Sequence, residues 1–187
     1  KPEGSYKKPS IWRQISIFTK RDLLSKIANN QFMLINFLEA PVLAMILAYL
    51  VRYFSENTGG SEYFFRFNEN IPAFLFMSVV VALFMGLTVS AEEIISDQKI
   101  LKREKFLDLS KFAYLKSKLL ILFTISAIQT FTFVLVGNAI LDIQGMLFPY
   151  WFVLFTTSCF ANVLGLNISA SFSSVKTIYI FIPTSWY

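Results

Sequence analysis

Three places in this sequence hold residues whose type and spacing could do chemistry. The first is Glu39, an acidic residue well inside an apolar run and beside Pro41. A charge at the centre of a membrane helix costs about 2.5–3.5 kcal/mol on insertion scales, so such a residue is a candidate for proton or substrate handling. The competing role is a hydrogen bond facing a helix bundle, roughly two turns from the water-accessible edge. The second is the block EEIISDQKILKREKFLDLSKFAYLKSK at 92–118, which mixes seven basic and five acidic residues. Within it, Lys99 and Arg103, and Ile100 and Glu104, are spaced as neighbours on a helix. Asp108 and Ser110 mark a break, or a cap for the next helix. A hairpin between two helices needs only a few residues; this longer, mixed-charge connection suits a contact with another protein, the plain alternative being a solvated loop. The third is the soft, aromatic set Phe74, Phe76, Phe84 and Met85. It could face an apolar or amphipathic substrate, or simply pack.

Other chemistries find little support. The chain has no histidine, so the commonest metal ligand and general base is missing. No nucleophile–base pair and no clustered carboxylates occur in the apolar runs, which disfavours a membrane-embedded enzyme; no metal set is expected. A channel would want rings of polar or charged residues along a span. The sequence holds no Gly-x-x-x-x-Gly-Lys-Ser/Thr phosphate loop, and Gly59-Gly60 lacks the Lys-Ser/Thr that would follow. The single cysteine, Cys159, cannot form an internal disulfide. Asn167-Ile168-Ser169 has the form of a glycosylation acceptor but sits inside an apolar run.

The elements that must position these residues are membrane helices. Of 187 residues, 55% are hydrophobic and only 16% charged, too few charges to cover a soluble surface. Apolar runs at 31–54, 71–91, 119–141 and 146–170 each reach the roughly 20 residues that a helix needs to cross a bilayer. A fifth begins at 175 and is partial. None alternates polar and apolar residues as strands do. Lys1, Lys7, Lys8, Arg13, Lys20, Arg21 and Lys26 precede the first run, and Lys99, Lys102, Arg103, Lys105, Lys111, Lys116 and Lys118 separate the second from the third. The connection between the first and second carries only Arg52 and Arg66 against Glu56, Glu62 and Glu69, and that between the third and fourth has only Asp142. The positive-inside rule then places the N-terminus and the 92–118 block in the cytoplasm. Residues 1–9 read as a linker, and 10–30 as a basic helix with Ile11, Ile15 and Phe18 on one face. The loop 55–70 reads as an external turn around Asn57, Gly59 and Gly60. The fold class expected is all-α: a polytopic transmembrane bundle, 31–187, with an N-terminal amphipathic helix.

The run Glu93-Ile94-Ile95-Ser96-Asp97-Gln98-Lys99-Ile100-Leu101-Lys102-Arg103-Glu104, with Leu109-Ser110, Ala113-Tyr114 and Ser117-Lys118 after it, resembles the segment following the second span of ABC-2 type transporters. Glu39-Ala40-Pro41-Val42-Leu43-Ala44 resembles the first span of the bacterial, G-subfamily-like half-transporters in that family. Asp97 and Gln98 stand where the family has a Glu-Arg pair, which keeps the acid and loses the base. Family members have six spans and an external region after the fifth, beyond the extent of this chain.

The resemblance implies that 10–30 is the helix connecting an ATP-binding domain to the first span, and that 92–105 is a cytoplasmic coupling helix resting on that domain. Asp97, Arg103 and Glu104 are then the residues that transmit motion, and Phe84 and Met85 the candidate wall of a substrate cavity. It further implies an exporter with no catalytic residues of its own. ATP and Mg would sit on an ATP-binding domain, fused upstream or on a separate chain. A second transmembrane half, as a homodimer, would complete the path in the plasma (bacterial inner) membrane. The alternative is a non-transporting scaffold subunit of a larger membrane complex.

Overall fold

The computed structural model describes residues 10–53, 70–91, 93 and 111–171, and these form five helices without a strand. They are α1 (Ile11–Ala28), α2 (Asn30–Tyr53), α3 (Ile71–Ala91), α4 (Lys111–Leu141) and α5 (Leu147–Ser171). The last four are long and apolar enough to cross a membrane. The loop expected at 55–70 and the partial fifth run lie outside the described residues, apart from Asn70.

Local chemistry sets the breaks between helices. Asn29 separates α1 from α2: its backbone N–H donates to Lys26 O at 3.1 Å, closing α1. Its side-chain Oδ1 accepts from Phe32 N–H at 3.2 Å, capping α2. At the other end of the bundle α4 stops in a Schellman turn. Asp142 takes the left-handed conformation (φ 55°), and Ile143 N–H reaches back to Asn138 O at 3.1 Å. The Arg52 guanidinium of α2 donates to the freed Ile140 carbonyl at 2.9 Å. Gly145, also left-handed (φ 75°), completes the turn into α5, so α4 and α5 are an antiparallel hairpin. Helix α4 begins eight residues before the apolar run expected at 119, so Lys116 and Lys118 belong to the same continuous helix as the span.

Packing runs along seams of small residues. Ser78, Ala82, Gly86 and Ser90 recur every fourth position of α3, all buried. Gly86 meets Ser158 and Ala161 of α5, and Ser90 meets Gly165, all of them buried. Ala40, Ala44 and Ala48 of α2 are fully buried against the same core. Lipid tails are as apolar as leucine, so membrane helices gain little from hiding large apolar groups and associate instead by close backbone approach. The large side chains Leu34, Met45, Tyr49, Phe76, Phe148 and Phe160 accordingly stay exposed, on a surface that suits hydrocarbon. Phe74 and Phe133 are instead fully buried, Phe74 packed against Gly137 and Tyr150.

The α3–α5 seam has no slack at Gly86. A Cβ added there would lie 2.7 Å from the Ser158 backbone oxygen and 2.8 Å from Ala161 Cβ. Backbone cannot swing aside, so Gly86→Ala should cost about 1–3 kcal/mol in overpacking. A lowered melting temperature in detergent, against no change for the lipid-exposed Thr156→Ala, is the expected result.

Candidate functional site

At the basic end of the bundle four charged side chains among the described residues converge from three elements. Lys118, near the start of α4, is 3% exposed at its side chain. Its ammonium donates to Asp22 Oδ1 of α1 at 2.7 Å and to Glu93 Oε2, two residues past α3, at 2.9 Å. Lys26 of α1 reaches the other oxygen, Oε1, of Glu93. Two acids and two bases thus form one network in which Glu93 bridges two lysines and Lys118 bridges two carboxylates. Asp22 and Lys26 are one turn apart on the same face of α1, which lets both address the α3–α4 corner.

Aromatic and apolar contacts hold the network in place. Phe18 of α1 meets the ring of Tyr114 on α4 edge-on, at 6.1 Å and 88°. With Ile15 and Ala113 they make a small buried cluster. Lys118 lies 5.8 Å from the Tyr114 ring and Lys26 4.6 Å from the Phe32 ring, so both cations also face aromatic π-electrons. The face expected on α1 is partly realised: Ile15 and Phe18 are buried, whereas Ile11 is exposed.

Further into the span a ladder of polar side chains continues along α4. Gln129 donates to the Asn36 carbonyl and side-chain oxygens of α2, at 3.1 and 3.2 Å. Ser126 accepts from Asn162 at 2.8 Å and from Ser158 at 3.0 Å, both on α5. Trp151 of α5 donates to the Ala127 carbonyl at 3.2 Å. Helix α4 therefore hydrogen-bonds to α1, α2, α5 and the end of α3.

The residues singled out in the sequence are distributed differently. Glu39 is half-buried on α2, with no hydrogen bond or ion pair among the described residues. Phe84 is 54% exposed and can present surface to a cavity; Met85 is 1% exposed and packs inside the core cluster. Asp97, Arg103 and Glu104 lie outside the described residues. Reading the sequence missed Asp22, Lys26, Glu93 and Lys118 as a set. Two signals pointed to them: Asp22 is the lone acid among residues 10–29, and Lys118 is the last charge before the long apolar run. Their spatial convergence leaves no one-dimensional pattern.

Among the described residues no group of three or more acidic, histidine or cysteine side chains could hold a metal ion. The family model described as ABC-2 type transporter matches residues 13–185, and the chain belongs to that family. No curated protein and no solved structure matches it.

Breaking one member of a buried charge network leaves another charge uncompensated, at a cost of about 3–5 kcal/mol. Lys118→Met should therefore lower stability by that order. Adding Glu93→Gln balances these four positions again, with one acid (Asp22) and one base (Lys26) left, and should recover most of the loss. Unfolding in detergent, followed for both single variants and the double, checks this cycle.

Proposed function

We propose that this ABC-2 family chain is the membrane half of an ATP-driven exporter and that the Asp22–Lys118–Glu93–Lys26 network carries motion into its spans. The observation that carries the reading is that one buried network ties together α1, the end of α3 and the start of α4. Each of these leads toward a place where the chain would meet a driving domain. Helix α1 would connect to the ATP-binding domain, which is either fused upstream or a separate chain binding ATP and Mg. Glu93 opens the 92–105 segment that would rest on that domain, with Asp97, Arg103 and Glu104 as the contact. The basic flanks of the spans support a cytoplasmic position for this end and for the N-terminus, by the positive-inside rule.

A displacement of the 92–105 segment would act on Glu93 first. Because Glu93 holds Lys26 of α1 and Lys118 of α4, neither helix could stay in place when it moves, and their shift would reorient the bundle about the polar ladder on α4. Packed cores have discrete arrangements, so small shifts at a network convert into switches between inward and outward access. A second transmembrane half, by preference a second copy of this chain, would complete the substrate path, with Phe84 offering its exposed ring. The G-subfamily half-transporter of the bacterial inner membrane is the arrangement this reading favours.

The test is ATP hydrolysis by the native protein, extracted in mild detergent with its ATP-binding domain or chain. Coupling energies of about 1–3 kcal/mol correspond to roughly 5–150-fold effects. Asp22→Asn, which loosens the network while leaving the Lys118–Glu93 pair, should reduce vanadate-sensitive hydrolysis about fivefold or more while the ATP-binding partner still co-purifies. Unchanged hydrolysis would remove the network from the coupling path. A preparation that contains no ATP-binding domain at all would overturn the transporter reading in favour of a scaffold.

A further inference from the structure

Beside the charge network, the junction of α1, α2 and α4 leaves a cavity of about 210 Å³. Its walls are almost wholly apolar, and Leu23, Ile27, Phe37, Leu120 and Ile128, which line it, are each 40–51% exposed, so it opens sideways from the bundle. Lys26 lines its basic end, with the ammonium turned to Glu93, and the Asn36–Gln129 pair closes the deep end. From Leu120 to Gln129 the helix rises about 13 Å, close to the roughly 15 Å depth of one leaflet's hydrocarbon. The side opening therefore lies within the lipid tails of a single leaflet.

The rim at the basic end has the chemistry of a headgroup contact. Lys116 stands one turn before Leu120 on α4. Its ammonium lies 5.3 Å from the ring of Trp12 on α1 and 5.6 Å from that of Phe112. Lys116 makes no ion pair with any carboxylate among the described residues, unlike Lys26 and Lys118. Trp12 is 75% exposed. A tryptophan and an unpaired lysine side by side mark the level where phosphates sit over hydrocarbon, and anionic lipid is attracted to such cations.

We propose that this cavity holds one acyl chain of an anionic phospholipid from the leaflet at the basic end, with its phosphate at Lys116 and Trp12. The chain would pack on Leu23, Ile27 and the stem of Lys26, so occupancy would brace α1 against α4 beside the Lys26–Glu93 contact. That regulatory consequence rests on the coupling role proposed above; the binding itself does not.

The experiment places the intact protein in phosphatidylcholine nanodiscs with a trace of phosphatidylglycerol or phosphatidylcholine bearing a photoactivatable group on the acyl chain, and maps the labelled peptides. The phosphatidylglycerol probe should label 19–37 and 120–129 in preference to the phosphatidylcholine probe. Thr124→Trp, which fills the cavity from its open side, should abolish that label and leave labelling of the lipid-facing side of α5 unchanged. Ile128→Trp serves the same purpose if the first variant melts early. Lys116→Ala should cut the preference for the anionic probe about fivefold, the effect of one surface cation on an anionic lipid. Label that survives both tryptophan variants would overturn the site. Equal labelling by the two probes, or displacement by free oleate and not by phosphatidylglycerol, would overturn the anionic phospholipid as its occupant. None of these readings needs ATP hydrolysis, so their failure is distinct from failure of the coupling role.

Discussion

The structure depends on the burial of one ammonium group. Lys118 sits where α4 passes from polar surroundings into apolar ones, and an isolated ion taken out of water there carries a desolvation penalty of several kcal/mol. Two carboxylates offset it, and they come from different elements: Asp22 from α1 and Glu93 from beyond α3. Neither alone would neutralise the set, because Lys26 also claims Glu93. The requirement for charge balance therefore fixes three segments, far apart in sequence, against one another. In a membrane, where burying apolar surface brings helices together only weakly, such a constraint weighs more than it would in a water-soluble core.

Beyond that network the bundle is assembled by two different means. The α3–α5 seam is made of Ser, Ala and Gly and leaves no space for a methyl group at Gly86. The contacts of α4 with α2 and α5 are polar cross-links, Gln129 to Asn36 and Ser126 to Asn162 and Ser158. At the α1–α2–α4 junction packing is incomplete and a cavity remains. The bundle is thus closely packed along the α3–α5 seam and leaves its void beside the charge network. The one-residue break at Asn29, between α1 and α2, lies at the same junction.

Much of this was legible in the order of residues. Four apolar runs of spanning length, divided by blocks of charge, specify an all-α membrane bundle, and the charged block after the second run carries the family likeness that the match over residues 13–185 establishes. The exact partners were not legible. Phe84 and Met85 are neighbours with similar apolar character, yet the helical step of about 100° turns one outward and the other into the core. Ile11 shares a face with Ile15 and Phe18 by periodicity, but the cluster with Ala113 and Tyr114 reaches only the latter two. Lys26 and Lys118 counted in the sequence as charges that orient the chain; in three dimensions they are also buried partners.

The sequence by itself thus determined the class of fold, the order of its spans and which end is basic. These follow from local hydropathy and from charge counts that need no knowledge of neighbours. Only the tertiary structure decided which charges pair, which small residues meet and where space is left over. Those outcomes depend on the rotation and register of each helix against the next, and helix rotation is set by the sum of all contacts at once. Lys118 and Asp22 stand ninety-six positions apart, and no local pattern along the chain announces that they touch.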